Sequence, residues 1–261
     1  MSVVRSEIYY INSEDRIEGN PSNFKYKIDI PSESTFDHVC ILSMSIPLTY
    51  YLIREPYNRM NLFEIHVIVP IIVPEGNYDA KSFAIMFTSL LNSNSPHGWT
   101  YSMTLDTTLA KYTYTCTGFT TQPRFIINNH LGDQLGFDFN SENIFESGSL
   151  RSKNVLNFVS TNTLFLHSDI IESQNNILQE FYADNTVPYS FLTYQCLSQE
   201  LYSKRLRTRE NKAFHFSLSD EHGNEVNLNG HQLSFSLMLY KKESLTDMFR
   251  AYMEIISTKQ T

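Results

Sequence analysis

The sequence predicts an all-β fold, a β-sandwich with one helix in a connecting loop and a short helix at the C-terminal end. Three observations predict it. Apolar and polar residues alternate along most of the chain, the period of a half-buried strand. Tyr and Phe, at 16 and 18 residues, far outnumber the single Trp, and such rings pack well on pleated surfaces. Only two stretches switch to a helical period.

The strands follow in order. In "FKYKIDI", Phe24, Tyr26, Ile28 and Ile30 share one face, with Lys25, Lys27 and Asp29 on the other. "HVCILSMSI" offers Cys40, Leu42, Met44 and Ile46 as its apolar set, and "FEIHVIV" offers Phe63, Ile65, Val67 and Val69. "TYSMTL" and "KYTYTCT" repeat the pattern with Tyr and Thr, and "FHFSL" sets Phe214, Phe216 and Leu218 on one side. The clearest case is "LSFSLML", where Leu233, Phe235, Leu237 and Leu239 alternate with Ser234, Ser236 and Met238. Such segments are antiparallel strands with one face on a core. The sets Phe24/Tyr26/Ile28, Phe63/Ile65/Val67 and Leu233/Phe235/Leu237 are expected to be buried together.

The mid-chain helix is expected over residues 79–92. Asp79 stands at its N-cap, and Phe83, Met86, Phe87, Leu90 and Leu91 fall on one stripe. "DEHGN" reads as a hairpin turn, with Gly223 free to take a positive φ. After "LSFSLMLY" the period changes again. Leu245, Met248, Phe249, Tyr252 and Ile256 lie on one helical face behind the capping signal "SLTD".

Bulk properties exclude several function classes. The 261 residues carry a net charge of −8, so the molecule as a whole does not seek nucleic acid. Three distant cysteines, Cys40, Cys116 and Cys196, show no paired spacing and are read as reduced. No unbroken apolar stretch resembles a signal peptide or a membrane span, which fits a soluble protein or part of a soluble assembly.

Tests for chemistry are negative. "LFLHSDI" places His167, Ser168 and Asp169 side by side, but in a strand His167 and Asp169 face one side and Ser168 the other. No nucleophile elbow, zinc-type His spacing or phosphate-binding glycine loop occurs, so neither catalytic residues, metal ligands nor a cofactor site are expected. Asp133 and Asp138 sit in a turn region where Asp commonly caps backbone. "SKRLRTRENK" gathers Lys204, Arg205, Arg207, Arg209 and Lys212 as a candidate basic contact patch. It is either a solvated face or a weak contact for nucleic acid or an acidic neighbour.

Three stretches resemble a known family. "YYINSEDRIEGNPSNFKYKIDIP" and "VCILSMSIPLTYYLI" are similar to the opening of the penton (minor capsid) proteins of virophages, Polinton-like elements and related large DNA viruses. The matching elements are Ser13 and Arg16, then Asn23 and Phe24, then Ile46 and Pro47. "VPEGNYDAKSFAIMFTSLLN", followed by "YSMTLD" and "LGFD", resembles the family's Pro-x-Gly-x-Tyr helix and Leu-Gly-Phe segment. "LSDEHGNEVNLNGHQLSFSLMLYKK" resembles its Asp-x-x-Gly hairpin and last strand.

The matches run through nearly the whole chain in family order. The resemblance implies a single jelly roll, placed over residues 1–242, and the change of period leaves residues 243–261 as a helical tail. It implies a non-enzymatic virion protein, assembled inside the host cell as a homopentamer at capsid vertices and contacting the major capsid protein. The tail residues Leu245, Met248, Phe249 and Tyr252 are then candidate subunit contacts. The rival reading is a lectin-like or receptor-binding β-sandwich, with Tyr50, Tyr51 and Tyr57 near Asn58 and Asn61 as its platform.

Overall fold

A computed structural model describes residues 6–31, 35–158, 163–183, 190–207, 213–242, 249 and 253. In chain order the elements begin with β1 (Ser6–Asn12), β2 (Glu18–Asn20), β3 (Asn23–Lys27) and β4 (His38–Pro47). A middle stretch holds β5 (Arg59–Glu64), β6 (Val67–Ile72), α1 (Ala80–Asn94), β7 (Thr100–Asp106), β8 (Lys111–Thr117), β9 (Arg124–Ile127), α2 (Leu131–Leu135), β10 (Ser141–Ile144) and β11 (Ser149–Arg151). The last part holds β12 (Thr163–Ser168), β13 (Ile177–Tyr182), β14 (Phe191–Gln195), α3 (Gln199–Tyr202), β15 (Lys204–Arg205), β16 (Ala213–Asp220) and β17 (Ser234–Tyr240).

The chain divides into two compact units, residues 1–50 with 161–261, and residues 51–160. The sequence reading gives residues 1–242 to one roll. The strands β1–β4 and β12–β17 lie in the first unit, and β5–β11 lie in the second, between β4 and β12 in the chain.

In the first unit, eight antiparallel strands nest as pairs. The outermost strands, β1 and β17, pair with each other, as do β3 with β16, β4 with β14, and β12 with β13. First pairs with eighth, second with seventh, third with sixth and fourth with fifth. This is a long hairpin wrapped upon itself. Two further ladders, β17 to β4 and β16 to β12, join the pairs into the sheets β1-β17-β4-β14 and β13-β12-β16-β3-β2. That connectivity is a jelly roll.

The two sheets face each other across one core. Ile11, Phe24, Ile46, Leu166, Phe216, Leu218, Phe235 and Leu237 are all buried in it. Phe216 of one sheet meets Phe235 of the other with ring centroids 5.2 Å apart, and Phe181 meets Tyr194 at 5.1 Å. β4 contains a device the alternating pattern hid. Its register with β17 jumps from Ser43 opposite Ser236 to Ile41 opposite Leu237. The extra residue flips the phase, so Val39 and Ile41 join Met44 and Ile46 in the core. The expected set of Cys40 and Leu42 with Met44 is thereby corrected: Cys40 and Leu42 do not belong to that core, although Cys40 is fully buried.

The second unit has its own core between two sheets, β10-β9-β5-β6 and β11-β8-β7, and the helix α1. α1 starts as expected. Asp79 accepts hydrogen bonds from the backbone N–H of Lys81 and Ser82 at 2.8 and 2.7 Å, and Ser82 Oγ returns an acceptor to Asp79 N–H. Phe83, Phe87 and Leu91 are fully buried, with the first two rings stacked at 5.2 Å. Tyr101, Tyr112, Tyr114, Phe125 and Phe145 complete an aromatic core in which Phe125 and Phe145 meet edge to face at 4.9 Å.

The expectation for "FEIHVIV" fails here. β5 ends at Glu64 and β6 begins at Val67, joined by a tight turn with Ile65 at φ 55°. Leu62 and Glu64 face the core, while Phe63 is half-buried beneath the Arg124 guanidinium, 4.0 Å from its ring, and Val67 is exposed. Phe63, Ile65 and Val67 therefore do not share a core with Phe24 and Phe235.

Candidate functional site

Of the residues that carry the family resemblance, Phe24 and Ile46 lie in the first unit's core, and others lie at turns between strands. Ser13 is fully buried just after β1. Its backbone N–H donates to Leu233 O at 2.8 Å, and its Oγ accepts from Leu233 N–H at 2.9 Å while donating to Gln232 Oε1 at 2.8 Å. Arg16 completes the clasp, donating through one terminal nitrogen to Ser13 O at 2.7 Å and through Nε to Gly19 O at 3.0 Å. The Ser-x-x-Arg element thus ties β1, the β2–β3 hairpin and the approach to β17 together.

The other motifs act similarly. Asp220 is buried and caps its hairpin, accepting from His222 N–H at 2.9 Å and Asn224 N–H at 2.8 Å, with Gly223 at φ 80°. In the second unit, Gly76 exchanges two backbone hydrogen bonds with Ile53, and Tyr78 Oη donates to Pro74 O at 3.0 Å. Gly136 takes φ 77° at the end of α2, where a Cβ would come within 2.7 Å of Ser152 Cβ. These motifs build the fold. None of them gathers nucleophile, base and electrophile.

"LFLHSDI" opens onto a polar cleft of about 410 Å³ on the first unit. Ser168 is buried and its Oγ accepts from Ile170 N–H at 3.2 Å, so it points away from His167 as strand geometry requires. Asp169 accepts from the backbone N–H of His215 at 2.9 Å. His167 instead meets Ser219 of the adjacent strand, Nε2 to Oγ, at 2.8 Å. Its Nδ1 lies 3.3 Å from Asn175 O. A carbonyl only accepts, so Nδ1 is the donor to Asn175 O. The pair is a diagonal cross-strand contact without a carboxylate to orient the imidazole.

The basic segment is placed in part. Lys204 and Arg205 form β15 and are exposed, and as neighbours in a strand they point to opposite sides. Arg205 Nε lies 3.6 Å from Glu172, whose charge offsets its own. Arg207 is half-buried, its N–H donating to Ile170 O at 2.8 Å. Arg209 and Lys212 lie outside the described residues. So do Leu245, Met248, Tyr252 and Ile256 of the tail. Phe249 is helical and 63% exposed, and Met253, four residues on, is helical and 51% exposed.

The lectin-like platform is not assembled as the sequence reading has it. Tyr50 is buried in the first unit's core. Asn58 is buried in the second unit, its amide donating to Val73 O at 2.8 Å.

No protein-family model matches the chain, and no curated protein matches it. Among solved structures, the chain is similar to the crystal structure of SeMet-labeled mavirus penton protein. The likeness covers 90% of this chain and 99% of that one, with 9% sequence identity and a TM-score of 0.43. At that distance it bears on neither function nor partners.

Among the described residues, no helix is long and apolar enough to cross a membrane.

Proposed function

We propose that this chain is a structural capsid protein, a penton (minor capsid) subunit that forms pentamers at icosahedral five-fold vertices and contacts the surrounding major capsid protein. The observation that carries the reading is the nested pairing of eight strands into a jelly roll, clasped at its corners by the residues through which the sequence resembles the penton family. A jelly roll by itself hosts many functions. The ordered motifs, from Ser13 and Arg16 to the hairpin at Asp220, supply the rest.

In this reading the chain works in the virion without catalysis or cofactor. Five copies in a ring use a head-to-tail interface closed by rotation. The tail stripe of Leu245, Met248, Phe249 and Tyr252 serves as a subunit contact, and Phe249 and Met253 present apolar surface for it. Lys204, Arg205, Arg207 and Arg209 give at most a weak contact with encapsidated DNA. Native mass spectrometry of the chain with its major capsid protein tests the assembly. A pentamer, alone or within a mixed complex, is the expected result. A chain that stays monomeric and ignores the capsid protein under assembly conditions contradicts it.

A further inference from the structure

The sheet β1-β17-β4-β14 ends at β14, which pairs with β4 on one side. Leu48 N–H donates to Ser190 O, and Cys196 N–H donates to Leu42 O, both at 2.8 Å. Antiparallel pairing alternates along a strand. Leu192 and Tyr194 therefore also turn their backbone groups to β4, while Phe191, Thr193 and Gln195 turn theirs away. Those outward N–H and C=O groups have no partner among the described residues. Beside them opens a cleft of about 380 Å³, lined by Leu192, Thr193 and Tyr194 together with residues of β13.

A free strand edge invites pairing with another chain, and proteins blunt such edges with charge, proline, short length or a covering element. The other edges of these sheets follow that rule. Glu7 stands in β1, Glu180 in β13, Glu142 in β10 and Pro70 in β6. The strands β2, β11 and β15 have three residues or fewer. Asn92 of α1 bonds both the N–H and the C=O of Tyr101 in β7, at 2.7 and 2.9 Å. By contrast β14, "FLTYQ", has no charge, proline or glycine, and the next two residues, Cys196 and Leu197, add none. Phe191 is 61% exposed and Leu197 93%.

We infer that β14 is a two-fold contact, through which a second copy of this chain extends the sheet. Two antiparallel copies of β14 centred on Thr193 set Phe191 opposite Gln195 of the partner subunit, and the two Thr193 residues opposite each other. Each opposing pair exchanges two hydrogen bonds, so every outward N–H and C=O finds a partner. The ladder of β14 runs on to Cys196, so Leu197 shares the face of Phe191, Thr193 and Gln195. Leu197 of the partner subunit then lies diagonal to Phe191, within reach of an aromatic ring. The two exposed apolar side chains thus sit one at each end of the edge, the placement that a two-fold axis at Thr193 brings together. Such self-complementarity is what an isologous interface requires. The chain carries a net charge of −8, yet residues 191–197 hold no charge, so the copies meet without repulsion there. The inference does not rest on the capsid reading, because a two-fold contact through β14 is distinct from a five-fold ring.

Sedimentation equilibrium of the full chain over a range of concentrations is the test, with charge exchange at the axis. The parent should form a reversible dimer. Thr193 is exposed, so Thr193→Lys and Thr193→Asp should both fold with the parent's melting temperature. Each places two like charges directly opposite one another and should weaken its own dimer by about tenfold or more. Mixing the two variants pairs opposite charges and should restore a dimer. Thr193→Pro, which removes an outward N–H and leaves the bonds to β4, should also weaken it. A parent that stays monomeric, a dimer that persists in Thr193→Lys, or variants that do not pair on mixing would overturn the assignment. A pentamer indifferent to Thr193→Lys would overturn it as well, while leaving the vertex reading in place.

Discussion

Glu64 and His97 meet at 3.2 Å in the second unit, where the carboxylate is fully buried and the imidazole partly exposed. Both Glu64 oxygens also accept from Ser95 Oγ, at 2.9 and 3.1 Å, and one accepts from Tyr101 Oη at 2.8 Å. The carboxylate thus binds the β5–β6 turn to the connection between α1 and β7. Desolvation and the Glu64 hydrogen bond drive the Tyr101 phenol far above its usual range, so it stays a donor.

Removing that acceptor takes the partner from the buried Tyr101 hydroxyl and from the partly exposed Ser95 and His97. Glu64→Ala should destabilise the second unit by about 1–3 kcal/mol, the cost of leaving the buried Tyr101 hydroxyl without its acceptor. Trp99, the only Trp in the chain, lies 5.6 Å from His97 and reports the change directly. Its emission should move to longer wavelengths at lower denaturant than in the parent. An unchanged midpoint contradicts the role given to Glu64.

Ser13→Ala probes the clasp in the roll. The substitution leaves Leu233 N–H buried without the Ser13 Oγ that accepts from it, and removes the hydroxyl that donates to Gln232. A loss of about 1–3 kcal/mol in denaturant unfolding is expected. Arg16→Lys should cost less than Ser13→Ala but remove the bond to Gly19, because an ammonium lacks the fork that reaches two carbonyls. If Ser13→Ala unfolds with the parent's midpoint, the motif is not a clasp.

Thiol chemistry should follow burial. Burial, with Cys196 nearby as a smaller cause, pushes the Cys40 thiol up to about 11. At pH 8 roughly one Cys40 in a thousand is then thiolate, the reactive form. Cys116 is also raised, chiefly by burial, while Cys196 is half-buried. A thiol reagent at pH 8 should modify Cys196 first and reach Cys40 only on unfolding. A raised folded value also means that the stability tied to this thiol is complete below its ordinary value of 9.0 and declines as the pH climbs through about 11. Rapid labelling of Cys40 in the folded protein contradicts the packing of β4.

The strands of the roll were legible where one face is apolar and the other is not. Leu233, Phe235 and Leu237 against Ser234 and Ser236 leave only one phase, and it is the observed one. The phase of β5 was not legible. Its core-facing Glu64 is satisfied by Ser95, His97 and Tyr101, which are more than thirty residues away, and a lone Glu reads as solvent-facing. The bulge in β4 escaped for a related reason: Cys40 and Leu42 are as apolar as Val39 and Ile41, so alternation cannot choose between them. The division into two units was hidden because both are built from the same kind of strand. Of the cleft, His167 and Asp169 could be singled out in sequence, but His215 and Ser219 are brought to them by strand pairing alone.

The tail offers a separate test of assembly. Deleting residues 243–261 removes Phe249 and Met253, whose apolar surface is exposed on the single chain. Assembly should be lost while the melting temperature stays within a few degrees of the parent, because exposed side chains contribute little to the stability of the chain itself. A large drop in melting temperature would place the stripe on the chain's own core. Intact pentamers after the deletion would remove the tail from the interface.

The central claim is the vertex role, and cryo-electron microscopy of the parent particle tests it most directly. The account predicts density for this chain at the five-fold axes, five copies per vertex, with the jelly-roll strands β1–β4 and β12–β17 fitting the map. The chain found away from the five-fold axes, or missing from the particle, would contradict it.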